Sequence, residues 1–205
     1  MVRDLELFSK RARLNTPASA TDIDEERAPS PDTHSMPPEA STMGVIERVD
    51  MINFMCHRNL SITLGPRINF IIGHNGSGKS AILTAITVTL GGKAQTTSRG
   101  SSLKDFILEG AQAAEVRVRL RNGGSDAYRP DLYGDAINIE RRIHSDGSGS
   151  WKIKNADGKT ISTKREELDA ICDHANIQVD NPMNILSQDA ARQFLGSSQP
   201  EDKYS

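Results

Sequence analysis

The chain has 205 residues and carries 25 Lys and Arg against 27 Asp and Glu, a formal charge of −2 at pH 7. That balance excludes a globally basic nucleic-acid binder, so any polyanion contact has to come from a local patch. Cys56 and Cys172 lie far apart, which argues against a disulfide framework or a zinc site. No apolar run approaches a membrane span, and no charged-then-apolar leader opens the chain.

Residues 1–42 read as a disordered tail. Five of the nine prolines (Pro17, Pro29, Pro31, Pro37, Pro38) fall there among Ser, Thr, Asp and Glu, and such a stretch buries too little apolar area to offset its ordering entropy. Within it, Leu5 to Arg13 reads as a short helix, a weak basic nuclear-import signal or a solvated charge cluster, the last being favoured. The folded part, residues 43–205, opens with a strand over Val45–Phe54 and a hairpin partner over Leu60–Leu64. Ile68–Ile72 then reads as a buried strand feeding a glycine-rich loop.

That loop, Gly73-His74-Asn75-Gly76-Ser77-Gly78-Lys79-Ser80, matches the phosphate-binding pattern G-x-x-x-x-G-K-[ST]. Its glycines let successive N–H groups converge on phosphate oxygens. Lys79 reaches the β- and γ-phosphates, the Ser80 hydroxyl ligates Mg²⁺, and the helix that starts there aims its positive dipole end at the anion. The expected helix, Ala81–Leu90, is stopped by Gly91-Gly92.

Residues 94–100 are polar and turn-like, and Leu103–Ile107 is a short apolar step. Residues 114–121, 137–144 and 151–154 then alternate apolar and polar between tight turns, the pattern of a β-meander with one polar face. Arg117, Arg119 and Arg121 fall on that polar face, where Arg142, Lys152 and Lys154 could extend a stripe. Such a stripe contacts phosphate or is an ordinary solvated face with Glu115 and Glu140 as partners. Thr163–Ala175 reads as a helix with Thr163 as N-cap, Glu166 as capping-box partner, and Leu168, Ile171 and Cys172 on its apolar stripe. Gln188, in the loop after Asn181-Pro182, has a side-chain oxygen suited to Mg²⁺ and to positioning water; by spacing alone it is a turn residue.

The stretch N-P-M-N-I-L-S-Q-D (181–189) resembles the Q-loop of structural-maintenance-of-chromosomes (SMC) ATPase heads, relatives of ABC transporters and Rad50. The G-x-N-G-S-G-K-S form of the phosphate loop and F-x-x-H at Phe54 to His57 fit the same group. Three stretches are similar to the sixth SMC subfamily, that of the eukaryotic DNA-repair complex: Asn53–His57, Gly91–Ala94 running on to Ser98–Lys104, and Leu186–Leu195.

The resemblance implies an α/β P-loop NTPase fold of the ABC/SMC/Rad50 type, N-terminal lobe only, with an antiparallel β-meander beside the P-loop core. It implies ATP and Mg²⁺ as ligands, held by Gly73 to Ser80 and by Gln188. It implies as partners the C-terminal half of the same head, the fifth SMC subunit, a kleisin and other non-SMC subunits. It also implies DNA bound without sequence preference, a nuclear and chromosomal location, and no membrane. Because the outer β lobe of SMC heads faces clamped DNA, Arg99, Lys104, Arg117, Arg119 and Arg121 become candidate phosphate contacts.

Two departures bear on activity. No four-residue apolar run ends in Asp-Glu, and Leu90-Gly91-Gly92-Lys93 lacks the serine of the signature motif. No catalytic carboxylate is therefore assigned, and this segment alone is expected to bind but not hydrolyse ATP. The position at which several SMC heads carry an arginine in the P-loop helix corresponds to Thr87. Two alternatives remain: a free-standing kinase or GTPase, although Asn-Lys-x-Asp is lacking and the clustered arginines sit on predicted strands, and a truncated nucleotide- or partner-binding module.

Overall fold

The computed structural model describes residues 42–97, 100–181, 184–186, 191 and 192. The expected tail up to residue 41, Arg99 and Gln188 lie outside the described residues.

Six antiparallel strands form one sheet in the order β2-β1-β3-β4-β5-β6. The first hairpin is β1 (Ile46–Phe54) and β2 (His57–Thr63); β3 (Ala113–Arg121), β4 (Ala136–His144) and β5 (Gly149–Lys154) make the expected meander, to which a short β6 (Thr160–Ser162), not expected from the sequence, is added. Strict alternation in β3 puts Ala114, Val116, Val118 and Leu120 inside and Glu115, Arg117, Arg119 and Arg121 on the opposite face.

Helices α1 (Lys79–Thr89) and α3 (Arg165–His174) cover the apolar face. Ile82, Ala85 and Val88 from α1, with Leu168, Ile171 and Cys172 from α3, join Ile137, Ile139, Ile143 and Ile153 in one core. Each large apolar side chain buried there contributes about 1.5–3 kcal/mol. Burial pushes the Cys172 thiol up to about 11, as expected for a packing residue.

The β3–β4 connection, with the short helix α2 (Pro130–Tyr133), is held by polar contacts. The buried Asn122 amide donates to the carbonyls of Tyr128 and Gly134 and accepts from the Tyr128 N–H. The Tyr128 and Tyr133 hydroxyls both donate to Glu167 on α3, at 3.2 and 2.8 Å.

The structure also departs from the sequence reading before the glycine-rich loop and at the helix starts. Ile68–Ile72 is not a strand; only Ile71 makes an isolated bridge and packs on the core, while Ile68, Phe70 and Ile72 are exposed. A central strand needs neighbours on both edges, and no named strand among the described residues pairs with this one. Helix α3 starts at Arg165 with Lys164 as an N-cap that makes no side-chain bond, so the expected Thr163–Glu166 box does not form. A capping box forms instead at Ser102 and Asp105, opening a 3-10 turn over Leu103–Phe106.

Candidate nucleotide-binding site

The glycine-rich loop joins the exposed Ile68–Ile72 segment to the N-terminus of α1. Ser77 N–H donates to the His74 carbonyl at 3.1 Å and Ala81 N–H to that of Gly78 at 2.9 Å, which curls the loop. Gly78 sits at φ +85°, and a Cβ there would lie 2.0 Å from His57 Nε2 and 2.7 Å from Cys56 Sγ. Gly76, also left-handed at φ +82°, has nothing within 4 Å of its notional Cβ. It stands on the open crown of the loop, while Gly78 forms its packed base.

Lys79 folds back over the loop. Its Nζ donates to the carbonyls of Gly73 at 2.7 Å and His74 at 2.8 Å. An ammonium carries three donors, so a third remains for an incoming phosphate oxygen. Asn75, Gly76, Gly78, Lys79 and Ser80 line a cavity of about 550 Å³ with Met55, Cys56 and Ala81. Ser80, in the first turn of α1, is one of these lining residues.

The donor set fits a magnesium–polyphosphate ligand. Backbone N–H groups and Lys79 suit phosphate oxygens, and a serine oxygen suits a hard cation that takes most of its ligands from phosphate and water. Among the described residues no group of three His, Cys, Asp or Glu side chains could hold a metal by itself.

The structure also gives the Phe54-x-x-His57 stretch a physical role. Phe54 is fully buried and packs on Phe106 with ring centroids 5.7 Å apart. The buried His57 approaches the Gly78 carbonyl at 3.4 Å, where the carbonyl must accept and Nε2 must donate. Between them, Met55 adopts φ +51°, unusual for a side chain of that size. Met55 N–H donates to the Phe106 carbonyl at 2.7 Å and Leu108 N–H to that of Asn53 at 2.9 Å. The β1–β2 hairpin tip thus braces the base of the loop and docks the 3-10 turn that carries Lys104. Sequence reading took His57 only as part of a signature; its contact with Gly78, 21 residues on, has no local signal in the sequence.

Thr87 is buried, donates to the Leu83 carbonyl at 2.9 Å, and packs against Gly92, where a Cβ would come within 2.6 Å of its methyl. As built, that position has no room for an arginine.

The basic stripe is real but ion-paired. Arg119 and Arg121 bind Glu47 at 3.1 and 2.6 Å. Arg117 contacts Glu115 and lies 3.3 Å from Glu140, which also takes Lys154 at 2.6 Å and Lys152 at 3.8 Å. Burial raises the affinity of the Glu140 carboxyl for protons, but the Lys154 hydrogen bond and the charges of Lys154, Arg117 and Lys152 outweigh it and hold the group below its ordinary 4.5. Its stabilising contribution is therefore present above that value and fades as the pH falls through the lower folded-state pKa.

A curled glycine loop, a back-folded lysine and an antiparallel lobe packed on the loop's helix mark a head of the P-loop NTPase fold. Residues 48–203 match the AAA domain family, and the chain belongs to it. The folded part corresponds to the N-terminal part of an SMC head, most like structural maintenance of chromosomes protein 6. It is 54% identical over 162 residues to that protein of Schizosaccharomyces pombe and 50% identical over 166 residues to that of Homo sapiens. These matches cover 79% and 80% of this chain but only 14% and 15% of those relatives.

Solved structures agree. One, from work on the ATP-driven dimerization and DNA stimulated activation of SMC ATPases, is 28% identical with a TM-score of 0.65, over 77% of this chain and 94% of that one. Another is the Pyrococcus furiosus Smc head domain with an extended coiled coil, bound to the C-terminal domain of ScpA. It is 29% identical with a TM-score of 0.58, over 76% of this chain and 39% of that one.

Proposed function

We propose that this chain is the nucleotide-gripping half of an SMC-type head, which binds ATP with Mg²⁺ but needs a C-terminal half to hydrolyse it. The observation that carries this reading is the loop itself: Lys79 poised over the Gly73 and His74 carbonyls beside a cavity lined by Ser80. Lys79 and the loop N–H groups hold the phosphates, Ser80 and Gln188 supply oxygens to the cation, and bound Mg²⁺ neutralises phosphate charge.

The exposed Ile68, Phe70 and Ile72 next to the loop support the C-terminal half of the same head as a partner. In the assembled complex the further partners are the fifth SMC subunit, a kleisin and other non-SMC subunits. The setting is nuclear and chromosomal: entrapment of DNA during repair by homologous recombination and chromosome maintenance. Titration of the chain with ATP and Mg²⁺ is expected to saturate. Lys79→Ala, which removes both the phosphate contact and the brace on Gly73 and His74, should weaken binding about 100-fold or more. Unchanged affinity in that variant would overturn the reading.

DNA contact is proposed for Arg99, Lys104, Arg117, Arg119 and Arg121; at Arg117, Arg119 and Arg121 it has to compete with Glu47 and Glu140. Glu140→Gln should therefore strengthen salt-sensitive DNA binding, and Arg117→Gln with Arg119→Gln should weaken it. If neither changes the salt slope, the stripe is an ordinary solvated face.

A further inference from the structure

Arg141 stands apart from the paired stripe. It lies on the apolar face of β4, in register with Trp151 of β5, and is 6% exposed. Its guanidinium carbon is 3.2 Å from the centroid of the Trp151 ring. Stacking uses the face of the guanidinium and leaves its N–H edges free. Nε and Nη1 are both buried and have no acceptor among the described residues.

Among the described residues no carboxylate forms an ion pair with Arg141. Arg165 lies 5.4 Å from the same ring but is itself a cation, bound to the Gly91 carbonyl at 3.0 Å and to Asp169 at 3.5 Å. The Thr89 carbonyl at the end of α1 accepts from Trp151 Nε1 at 3.1 Å. Burial, then Arg165, lowers Arg141 to about 10, so it is still charged at neutral pH. A buried cation without a counter-charge is among the costliest arrangements in a folded protein.

We infer that Arg141, walled by Trp151, receives one carboxylate, carried by an Asp or Glu side chain of a partner polypeptide that docks at the start of β5. One unpaired positive charge calls for one negative charge; a phosphate dianion would leave an excess. Each guanidinium edge is a planar fork matched to a carboxylate. Gly149, which is exposed, packs against the guanidinium: a Cβ there would lie 3.2 Å from Arg141 Nη2. A half-buried tryptophan beside an arginine is also the composition of protein–protein anchor points. This site is independent of the nucleotide reading.

Trp151 is the only tryptophan in the chain, so its fluorescence reports on the site. The chain is titrated with a capped Gly-Glu-Gly peptide, its Gly-Gln-Gly counterpart, and sulfate at matched ionic strength. A saturable change with the glutamate peptide alone is expected, weakened at least about tenfold by Arg141→Lys, which loses the fork, and abolished by Arg141→Met. Arg141→Met should melt no lower than the parent, because it removes an unpaired buried charge. No response to the glutamate peptide, an equal response to the glutamine peptide or to sulfate, or an Arg141→Met chain that melts lower or does not fold would each overturn the proposal.

Discussion

Replacing Gly78 by alanine is expected to abolish nucleotide binding and to cost roughly 2–5 kcal/mol of stability. A left-handed residue with a Cβ costs about 1–2 kcal/mol, and Gly78 lies at φ +85°. The new methyl group would overlap the His57 ring, 2.0 Å away at Nε2, and press on Cys56. His57 would have to leave its contact with the Gly78 carbonyl, at about 1–3 kcal/mol for a buried polar group set adrift. Gly76→Ala carries only the backbone strain, since nothing lies within 4 Å of its Cβ position. Thermal melting of the two variants should therefore separate them clearly. Equal losses would mean that the hairpin tip does not brace the loop.

The second large effect concerns the open edge. Ile68, Phe70 and Ile72 are 81%, 67% and 61% exposed, directly before the loop. Their exposed portions amount to about two whole side chains, so covering them is worth roughly 3–6 kcal/mol at about 1.5–3 kcal/mol per fully buried side chain. Phe70→Asp removes one anchor and buries a charge in its place, so capture of a separately expressed C-terminal head half should fall about 100-fold or more. The ATP affinity of the chain alone should hardly move, because Phe70 is not among the cavity's lining residues. Undiminished capture would place the interface elsewhere.

Where a local pattern decides the outcome, the sequence was legible. Strict alternation over Ala114–Arg121 predicts the faces of β3, and Gly91-Gly92 marks the end of α1, where their N–H groups donate to the Val88 and Thr87 carbonyls. The curl of the glycine loop was legible because glycine stands where the backbone is left-handed, Gly76 at φ +82° and Gly78 at φ +85°. Ile68–Ile72 misled because an apolar run states only that it is to be buried, not by what. The Thr163 cap misled because Ser, Thr and charged residues at 162–166 allow several helix starts, and the chain takes the one at Arg165. Ion pairing of the stripe was harder still. Glu47 lies 72 and 74 residues from Arg119 and Arg121, and only the pairing of β1 with β3 brings them together. His57 and Arg141 share that cause: each acquires its role from a strand register that no local pattern states.

The central claim is that Gly73 to Ser80 grips a nucleotide whose chemistry depends on residues from elsewhere. Steady-state phosphate release from ATP and Mg²⁺, measured on the purified chain with Lys79→Ala as the blank, tests it most directly. Saturable binding with no release above the blank is the expected result. Lys79-dependent turnover near about 1 per second, typical of a self-sufficient kinase, would contradict it.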